Sequence, residues 1–348
     1  MEHYASIDSS LYILKNINYT EYTLDILYIT LRGGHKYFRK INSESRAITI
    51  IKKLQNNREK CKKFCMLDHF IQYIRNTDVV FSLLHGDRGE DGMMQGFLET
   101  LNIKYIGSNI HSSSLTINKI YTKKILHNTN ICIPAHLKFS KNEFQINSHY
   151  LITKIKEYIQ FPLIVKPINC GSSIGVTKVK NDIELYLALS QIFSMNKQAI
   201  IEKLIIGREL EVSILENIDG SLNITPPGEI IVNNDLYHYE CKYIKKHNTQ
   251  LITSAKISHQ CIKTIQALSN KIFKIFDCRG MARIDFFIEL KTQNIFFNEI
   301  NTIPGFTQDS LFPRLLIKQG FTPSVIIHTL ANVALKTKAK NCIINKTP

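Results

Sequence analysis

Two short segments in the last third of the chain, ARIDFF and NEINT, carry charged and amide side chains at alternate positions. Arg283 and Asp285 are two residues apart, as are Glu299 and Asn301, so each pair faces one side of an extended strand. Asp285, Glu299 and Asn301 are then expected to converge from neighbouring strands as three oxygen ligands. Such ligands suit Mg²⁺ bound together with nucleotide phosphates. Alternating acids are often merely solvent-facing, but the flanking phenylalanines favour a functional site.

A second segment, IVKPINCGSSIGV, places a lysine before a loop of small residues. The loop contains Gly171, Ser172, Ser173 and Gly175, whose backbone N–H groups and hydroxyls could surround phosphate oxygens. Lys166 would add a mobile positive charge for the same phosphates. The lysine precedes the glycines, so this is not the P-loop pattern. Taken alone, such a loop is more often an ordinary turn than a phosphate site.

A third segment, HGDRGEDGMMQG, follows the apolar run from Val79 to Gly86. A short apolar run that ends in glycine is typical of a buried parallel strand feeding a loop. Open α/β sheets bind ligands at such strand ends, so His85 is a candidate site residue. The alternatives are turn chemistry for the acidic loop and a structural role for His85.

The elements that must position these motifs alternate between apolar strands and helical stretches. This alternation predicts α/β architecture in the first third of the chain. We expect a helix and then a strand within residues 12–31, a charged helical region over 44–75, strands at 161–167 and 199–204, and a closing helix over 324–338. Three further strands are predicted at GRELEVSILE, GMARIDFFIEL and NIFFNEIN.

Composition limits the class of protein. The chain has 348 residues, enough for two or three domains, and a net charge of +15 from 44 basic and 29 acidic residues. The lysines do not cluster or interleave with aromatic residues, which favours a solvated surface over nucleic-acid binding. No apolar run approaches the roughly 18 residues of a membrane span. The eight scattered cysteines and the absence of an export signal predict a cytoplasmic protein with reduced thiols.

Taken in order along the chain, these motifs resemble a known family. The segments that carry the resemblance are HGDRGEDGMMQGFLE, YIGSN, VKPINCGSSIGV, EKLIIGRELE, PPGEI, ARIDFF and NEINTIPGFTQDSLFPRL. They look like the D-alanine–D-alanine ligases of the ATP-grasp superfamily, over nearly the whole chain. The resemblance implies an α/β ATP-grasp fold with an N-terminal Rossmann-like parallel-sheet domain.

The resemblance also implies three domains. Residues 1–117 would form the N-terminal substrate domain, 118–206 the central ATP-grasp subdomain, and 207–348 the C-terminal ATP-grasp domain with a lid loop and the metal site. The family normally begins with an apolar strand and a glycine-rich loop, whereas MEHYAS starts at the Glu-His that follows them. We therefore expect an N-terminal sheet that lacks its first strand here, and a true start upstream of Met1.

Such ligases use ATP to phosphorylate the carboxylate of one D-alanine, and the amine of a second D-alanine then attacks the acyl phosphate. The dipeptide serves peptidoglycan precursor synthesis. The residues that match the family's ATP-binding positions are Lys119, Lys166, Ser173, Glu202, Lys203, Leu204, Ile205, Glu209 and Lys242. The ligands of two Mg²⁺ (or Mn²⁺) ions are matched by Asp285, Glu299 and Asn301.

The resemblance also assigns residues to the reacting groups. Glu2 matches the glutamate that binds the first substrate's ammonium group, and Arg283 and the N–H of Gly305 match the groups that stabilise the oxyanion. His85 and Glu90 match residues bordering the first D-alanine, and Ser310 and Leu311 match positions holding the carboxylate of the second. The segment LYHYECKYIKK resembles a closing lid, in which Lys242 lies near the phosphates and Tyr243 bonds to Ser172.

Two alternatives stay open at this point. Relatives that make D-alanyl-D-lactate usually differ in the lid, so the tyrosine in this loop favours D-alanine as the second substrate. A non-catalytic relative that still binds nucleotide is the other alternative, against which the intact Lys166, Arg283, Asp285, Glu299 and Asn301 argue. The resemblance also suggests a homodimer, without nucleic acid or membrane as a partner.

Overall fold

The computed structural model describes residues 2–30, 34–56, 71, 73–171, 174–195, 197–232 and 249–336. The helices are α1 His3–Asn16, α2 Glu44–Asn56, α3 Met93–Thr100, α4 Ile110–Ile117, α5 Lys119–His127, α6 Lys141–Ile146, α7 Ser148–Tyr158, α8 Asp182–Met195, α9 His259–Ile275, α10 Leu311–Lys318 and α11 Pro323–Lys336. The strands are β1 Leu24–Ile29, β2 His35–Ile41, β3 His136–Ser140, β4 Leu163–Pro167, β5 Thr177–Val179, β6 Gln198–Lys203, β7 Gly207–Glu216, β8 Leu222–Ile224, β9 Gly228–Val232, β10 Thr249–Ile252, β11 Met281–Glu289 and β12 Ile295–Asn301.

The strands form three sheets. The hairpin β1–β2 stands in the first part of the chain, a four-stranded sheet has the order β3-β6-β4-β5, and a larger sheet has the order β10-β9-β7-β11-β12 with β8 beside β7. Every pair of neighbouring strands in these sheets is antiparallel. The described residues form both helices and strands, so the prediction of a mixed α/β architecture is confirmed.

The four-stranded sheet is stabilised by apolar side chains of α7 and α8. All five residues of β4 are buried, as expected for a short strand covered by helices. Leu151 and Ile155 of α7, and Leu185 and Leu189 of α8, pack in one cluster with Val165 of β4. Their spacing of four residues places each pair on one helix face. This packing holds β4 and β6, which carry three of the predicted nucleotide-binding residues, Lys166, Glu202 and Lys203.

The larger sheet has its own core on the face opposite the candidate ligands. Helix α9 begins after Ser258, whose side chain accepts a hydrogen bond from the Cys261 N–H and so caps the helix. Its residues Ile265 and Ile272 pack in a cluster with Ile284 and Phe286 of β11. Because strand side chains alternate between faces, burial of Ile284 and Phe286 leaves Arg283 and Asp285 on the other face.

Instead of the predicted parallel strand at Val79–Gly86, the described residues contain a single isolated β-bridge. Val80 pairs in parallel with Tyr105, donating to the Lys104 carbonyl and accepting from the Ile106 N–H. Val80 is the one residue of this run that pairs among the described residues, so the run does not form a strand. The predicted helix before β1 also lies earlier than expected, over His3–Asn16. Among the described helices, none has the length and apolar character to cross a bilayer.

Candidate active site

The antiparallel pair β11–β12 brings the predicted ligands together. Arg283 lies directly opposite Asn301 in the ladder, and Asp285 lies opposite Glu299. Residues directly opposite in an antiparallel pair project to the same face, with Cβ atoms about 5 Å apart. The two segments that are period-two patterns in the sequence therefore form one polar surface. The other face of the same strands lies in the aromatic and aliphatic core.

A β-bulge adds a fifth polar side chain to this surface. The register shifts between Asp285 and Phe286, whose partners are Glu299 and Phe297, so the pairing skips Asn298. The Asn298 amide oxygen accepts a hydrogen bond from Lys166 Nζ at 3.3 Å. Bulges re-aim side chains in this way at the edges of sites. Lys166 of the four-stranded sheet is thereby linked to the strand that carries Glu299.

Arg283 is surrounded by carboxylates. Its Nε and Nη2 donate to the two oxygens of Asp285 at 2.8 and 2.7 Å, and Nε lies 3.3 Å from Glu211 Oε2 of β7. Burial would lower the pKa of Arg283, but the charges of Asp285 and Glu211 outweigh it and raise the pKa well above the ordinary value. The guanidinium is therefore a fixed positive charge inside the site.

The donor set at this surface fits a hard dication. Asp285, Glu299 and Asn301 present carboxylate and amide oxygens, the ligands that Mg²⁺ accepts. Asp285 is 2% exposed, and both of its oxygens already accept from Arg283. An ionised carboxylate has about four lone-pair sites, so these hydrogen bonds leave capacity for a metal ion. Asn301 Nδ2 lies 3.4 Å from Asp285 Oδ2, which keeps its amide beside the carboxylate.

Two lysines approach this acidic surface, one at the start of α5 and one in β4. Lys119 Nζ donates to the Cys170 carbonyl at 2.8 Å and lies 3.6 Å from Glu299 Oε2. Lys166 Nζ donates to Glu202 Oε2 at 2.9 Å as well as to Asn298. The structure thus places the two lysines that match phosphate-binding positions beside the residues that match metal ligands. Together they supply positive charge next to carboxylates, as a site for a metal–phosphate complex requires.

Glu202 is held between two lysines in the interior. Its carboxylate is 2.9 Å from Lys166 Nζ and 3.1 Å from Lys123 Nζ. Burial would raise the pKa of Glu202, but the charges of Lys123 and Lys166 outweigh it and hold the pKa below its ordinary value. Burial lowers the pKa of Lys123, which Glu202 partly offsets. Sequence reasoning missed Lys123, which is 1% exposed.

The other residues that match nucleotide-binding positions lie where one sheet passes into the next. Lys203 ends β6, and β7 begins at Gly207, so Leu204 and Ile205 lie in the connection. Ile205 is buried, Leu204 is half-buried and Lys203 is exposed. Glu209 follows in β7, directly opposite Phe287 of β11. The connection therefore leads into β7, the strand that pairs with β11 of the polar surface.

A cleft of about 1060 Å³ adjoins the polar surface and collects the residues that match substrate positions. Its lining includes Glu2, His85, Glu90, Arg283, Glu299, Asn301, Gly305, Ser310 and Leu311. The Glu2 carboxylate lies close to the backbone of Gly86. A Cβ atom added to Gly86 would be only 1.8 Å from Glu2 Oε2. Gly86 also donates its N–H to Glu90 Oε2 at 2.7 Å. The glycine therefore allows two carboxylates to approach one loop.

The far wall of the cleft is the turn that leads into α10. Ser310 precedes the helix, and its Oγ lies 2.8 Å from Thr307 Oγ1. A Cβ at Gly305 would lie 3.1 Å from Ser310 Oγ, so a glycine keeps this turn tight. The first backbone N–H groups of a helix favour carboxylates and other anions. Four further predicted site residues, Ser172, Ser173, Lys242 and Tyr243, lie outside the described residues.

Comparison with known proteins identifies the family. Residues 1–108 match the family model described as D-ala D-ala ligase N-terminus, and residues 125–332 match the model described as D-ala D-ala ligase C-terminus. A D-alanine–D-alanine ligase of Caldicellulosiruptor bescii is 35% identical over 347 residues, which cover 98% of this chain and 94% of the relative.

Solved structures agree with this result. The VanG D-Ala:D-Ser ligase of Enterococcus faecalis superposes with a TM-score of 0.80 at 26% identity, covering 96% of each chain. The D-alanine–D-alanine ligase of Bacillus anthracis, complexed with ATP, gives a TM-score of 0.63 at 29% identity, covering 76% of this chain and 82% of that one. The chain therefore has the ATP-grasp fold and belongs to the D-alanine–D-alanine ligase family.

Proposed function

We propose that this chain is an ATP-dependent ligase that joins two molecules of D-alanine into D-alanyl-D-alanine for peptidoglycan precursor synthesis. The residues that line one cleft support this proposal most directly. A single cleft is lined by Glu2, His85 and Glu90 on one side, Arg283 and Glu299 on another, and Ser310 at a helix N-terminus. Groups for an ammonium, a developing oxyanion and a carboxylate are thus gathered around one cavity.

The nucleotide is proposed to lie between the two sheets, with Lys119 and Lys166 on its phosphates. Lys119 Nζ lies 3.6 Å from Glu299 Oε2, and Lys166 Nζ donates a hydrogen bond to Asn298 Oδ1 at 3.3 Å. Glu202, Lys203, Leu204, Ile205 and Glu209 are proposed to hold adenine and ribose. We further propose two Mg²⁺ ions, held by Asp285, Glu299 and Asn301. When bound, such ions neutralise charge on the phosphates during transfer.

The chain's own groups are proposed to act on the two amino acids at defined places. Glu2 orients the first D-alanine through its ammonium group, with His85 and Glu90 at the border of that position. Arg283 and the Gly305 N–H stabilise the oxyanion that forms when the second amine attacks the acyl phosphate. Ser310 and Leu311 bind the second carboxylate at the start of α10, where backbone N–H groups are available.

We also propose the organisation in which this chemistry occurs. The domains are residues 1–117, 118–206 and 207–348. The four-stranded sheet lies within 118–206 and the larger sheet within 207–348. The two family models, which match residues 1–108 and 125–332, support the first of the two boundaries. The protein is also proposed to act in the cytoplasm, where ATP is available, and as a homodimer, as its resemblance to the family suggests.

The test is a direct assay of the purified chain with ATP, Mg²⁺ and D-alanine. We expect ADP and phosphate release that requires D-alanine, together with D-alanyl-D-alanine detected by mass spectrometry. Glu299→Gln should abolish turnover, whereas Glu157→Gln, at an exposed position on α7, should behave as the parent chain does. ATP consumption that does not depend on D-alanine, or no dipeptide from a folded chain that binds ATP, contradicts the proposal.

A second acceptor deserves the same assay, because the VanG structure is named as a D-Ala:D-Ser ligase and superposes over 96% of both chains. Offering D-serine and D-lactate beside D-alanine separates the three products by mass. Our proposal expects the D-alanyl-D-alanine signal to dominate at equal acceptor concentrations. Dominance of D-alanyl-D-serine or of the ester would reassign the second substrate and leave the ligase chemistry intact.

A further inference from the structure

Ser9 of α1 joins two separate parts of the cleft wall. Its side chain is 0% exposed. Ser9 Oγ lies 3.0 Å from His85 Nε2 and accepts a hydrogen bond from the Phe306 N–H at 3.2 Å. His85 borders the cleft on one side, and Phe306 directly follows Gly305 on the other. One hydroxyl therefore connects α1, the His85 loop and the turn before α10.

The Glu90 carboxylate favours one direction for the hydrogen bond between Ser9 and His85. A serine hydroxyl offers one donor and two acceptor sites. After accepting from Phe306, the hydroxyl can donate its O–H to His85 Nε2, an arrangement in which the ring proton lies on Nδ1. Nδ1 is 3.8 Å from Glu90 Oε1, so this arrangement points the N–H toward the carboxylate. The opposite arrangement would direct the Nδ1 lone pair at a negative charge.

A second serine of the same helix fixes the backbone of His85. The His85 N–H donates to Ser6 Oγ at 3.0 Å. Serines three residues apart on a helix lie on one face, so α1 holds both the main chain and the ring of His85. Phe306 is enclosed by aromatic rings, including Tyr12 of α1 and Phe81. The serine contact thus belongs to a packed wall that has little freedom to rearrange.

We propose that Ser9 is a positioning residue that sets the orientation of His85 and the placement of the Gly305–Phe306 backbone in the cleft. The inference rests on the proposed ligase function. Ser9 acts through these two groups, one bordering the first D-alanine and the other adjoining the N–H assigned to the oxyanion. Its removal is expected to impair the use of D-alanine without affecting the nucleotide, whose proposed lysines lie on other elements.

The experiment compares Ser9→Ala with Ser10→Ala in the full chain. Ser10 is the matched control, because it is next in the same helix and its hydroxyl donates only within it, to the Ser6 carbonyl at 2.8 Å. Loss of the Ser9 hydroxyl leaves buried partners unpaired, which predicts at least about a tenfold fall in kcat/KM for D-alanine. The KM for ATP should stay unchanged, and Ser10→Ala should match the parent in both quantities.

Two further variants separate positioning from packing. Ser9→Cys keeps the shape of the side chain with a slightly larger terminal atom, and its thiol is a weaker donor and acceptor, so it should retain part of the defect. Full activity of Ser9→Cys, or equal losses for D-alanine and ATP in Ser9→Ala, overturns the proposal. In a His85→Ala background, Ser9→Ala should cost less than in the parent chain, and additive losses would contradict action through His85. An inactive parent chain would instead refute the ligase assignment.

Discussion

Arg283 and Asp285, two residues apart on β11, form a bidentate pair in which Nε and Nη2 each donate to one carboxylate oxygen. Two parallel hydrogen bonds of this kind fix both the position and the plane of a carboxylate. The pair occurs on a buried polar face, where Glu211 also approaches Arg283. Asp285 is therefore oriented before any ligand binds.

Arg283→Lys tests the importance of that geometry. Lysine keeps the charge but cannot present the planar fork, so Asp285 loses one of its two fixed hydrogen bonds. We expect kcat to fall by about 10²-fold, the usual cost of removing one group that stabilises an oxyanion. Arg208→Lys is the matched control, because Arg208 makes a comparable bidentate pair with Glu229. Equal effects of the two variants on kcat would show that Arg283 has only a structural role.

Gly86→Ala tests the placement of Glu2. The added Cβ would meet Glu2 Oε2 at 1.8 Å, so the carboxylate must move away from the loop. We expect the KM for D-alanine to rise by about tenfold or more, since a charged hydrogen bond is worth about 1.5–3 kcal/mol. Gly220→Ala is the control, because Gly220 has a similar φ of +86° against +81° but open space around its Cβ position. Backbone strain is common to both variants, so a rise in KM for both would contradict this account.

Lys123→Met tests the buried charge beside Glu202. Removing one partner of a buried ion pair leaves the other charge poorly compensated, which costs about 3 kcal/mol or more of unfolding free energy. Lys124→Met is the control, because Lys124 is the next residue in the sequence and is exposed on the same helix. Chemical denaturation of the two variants measures the difference. If Lys123→Met and Lys124→Met unfold at the same denaturant concentration, the buried pair does not stabilise the fold.

The pH dependence of stability tests the charge of Glu202. Its pKa is lowered in the folded state from an ordinary value of 4.5. A carboxyl with a lowered pKa contributes stability that is complete above the ordinary pKa and is lost as the pH falls below it. The parent chain should therefore be more stable than Glu202→Gln at pH 7, and the gap should narrow below about pH 4.5.

The matching measurement uses denaturant unfolding between pH 7 and pH 3 on both chains. Glu157→Gln serves as the control, because its carboxylate is exposed on α7 and should produce no comparable gap. A difference between the parent and Glu202→Gln that stays constant down to pH 3 would mean that Glu202 is not held as an anion by its lysines.

The strand pair that carries the site could be predicted from the sequence, whereas the pairing of the run from Val79 to Gly86 could not. Alternation of charged or amide residues with isoleucine and phenylalanine encodes both faces of β11 and β12 locally, because a strand side chain changes face at every residue. The run from Val79 to Gly86 has the composition of a buried strand, but pairing is a property of neighbours and reaches only Val80 among the described residues. Composition alone does not specify those neighbours.

Lys123 shows why part of the site escapes such reasoning. It lies between Ile120 and Leu126 at three-residue spacing, on the buried face of α5, and this position is a signal that the sequence does contain. Lysine at such a place usually extends its amino group to solvent. Only the fold shows that Glu202 of β6 meets it there. Ser9 escapes for the same reason, since its partners are 76 and 297 positions away.

The bulge at Asn298 has a consequence for how this strand can change. Phe297 and Ile300 face the core, and Glu299 and Asn301 face the site, so the ladder would alternate regularly if Asn298 were absent. The extra residue therefore supplies an acceptor for Lys166 without shifting the phase of any neighbour. The contact with Lys166 is therefore separable from the geometry of the acidic face. Insertion or deletion of this one residue adds or removes the contact, while Glu299 and Asn301 keep their partners on β11.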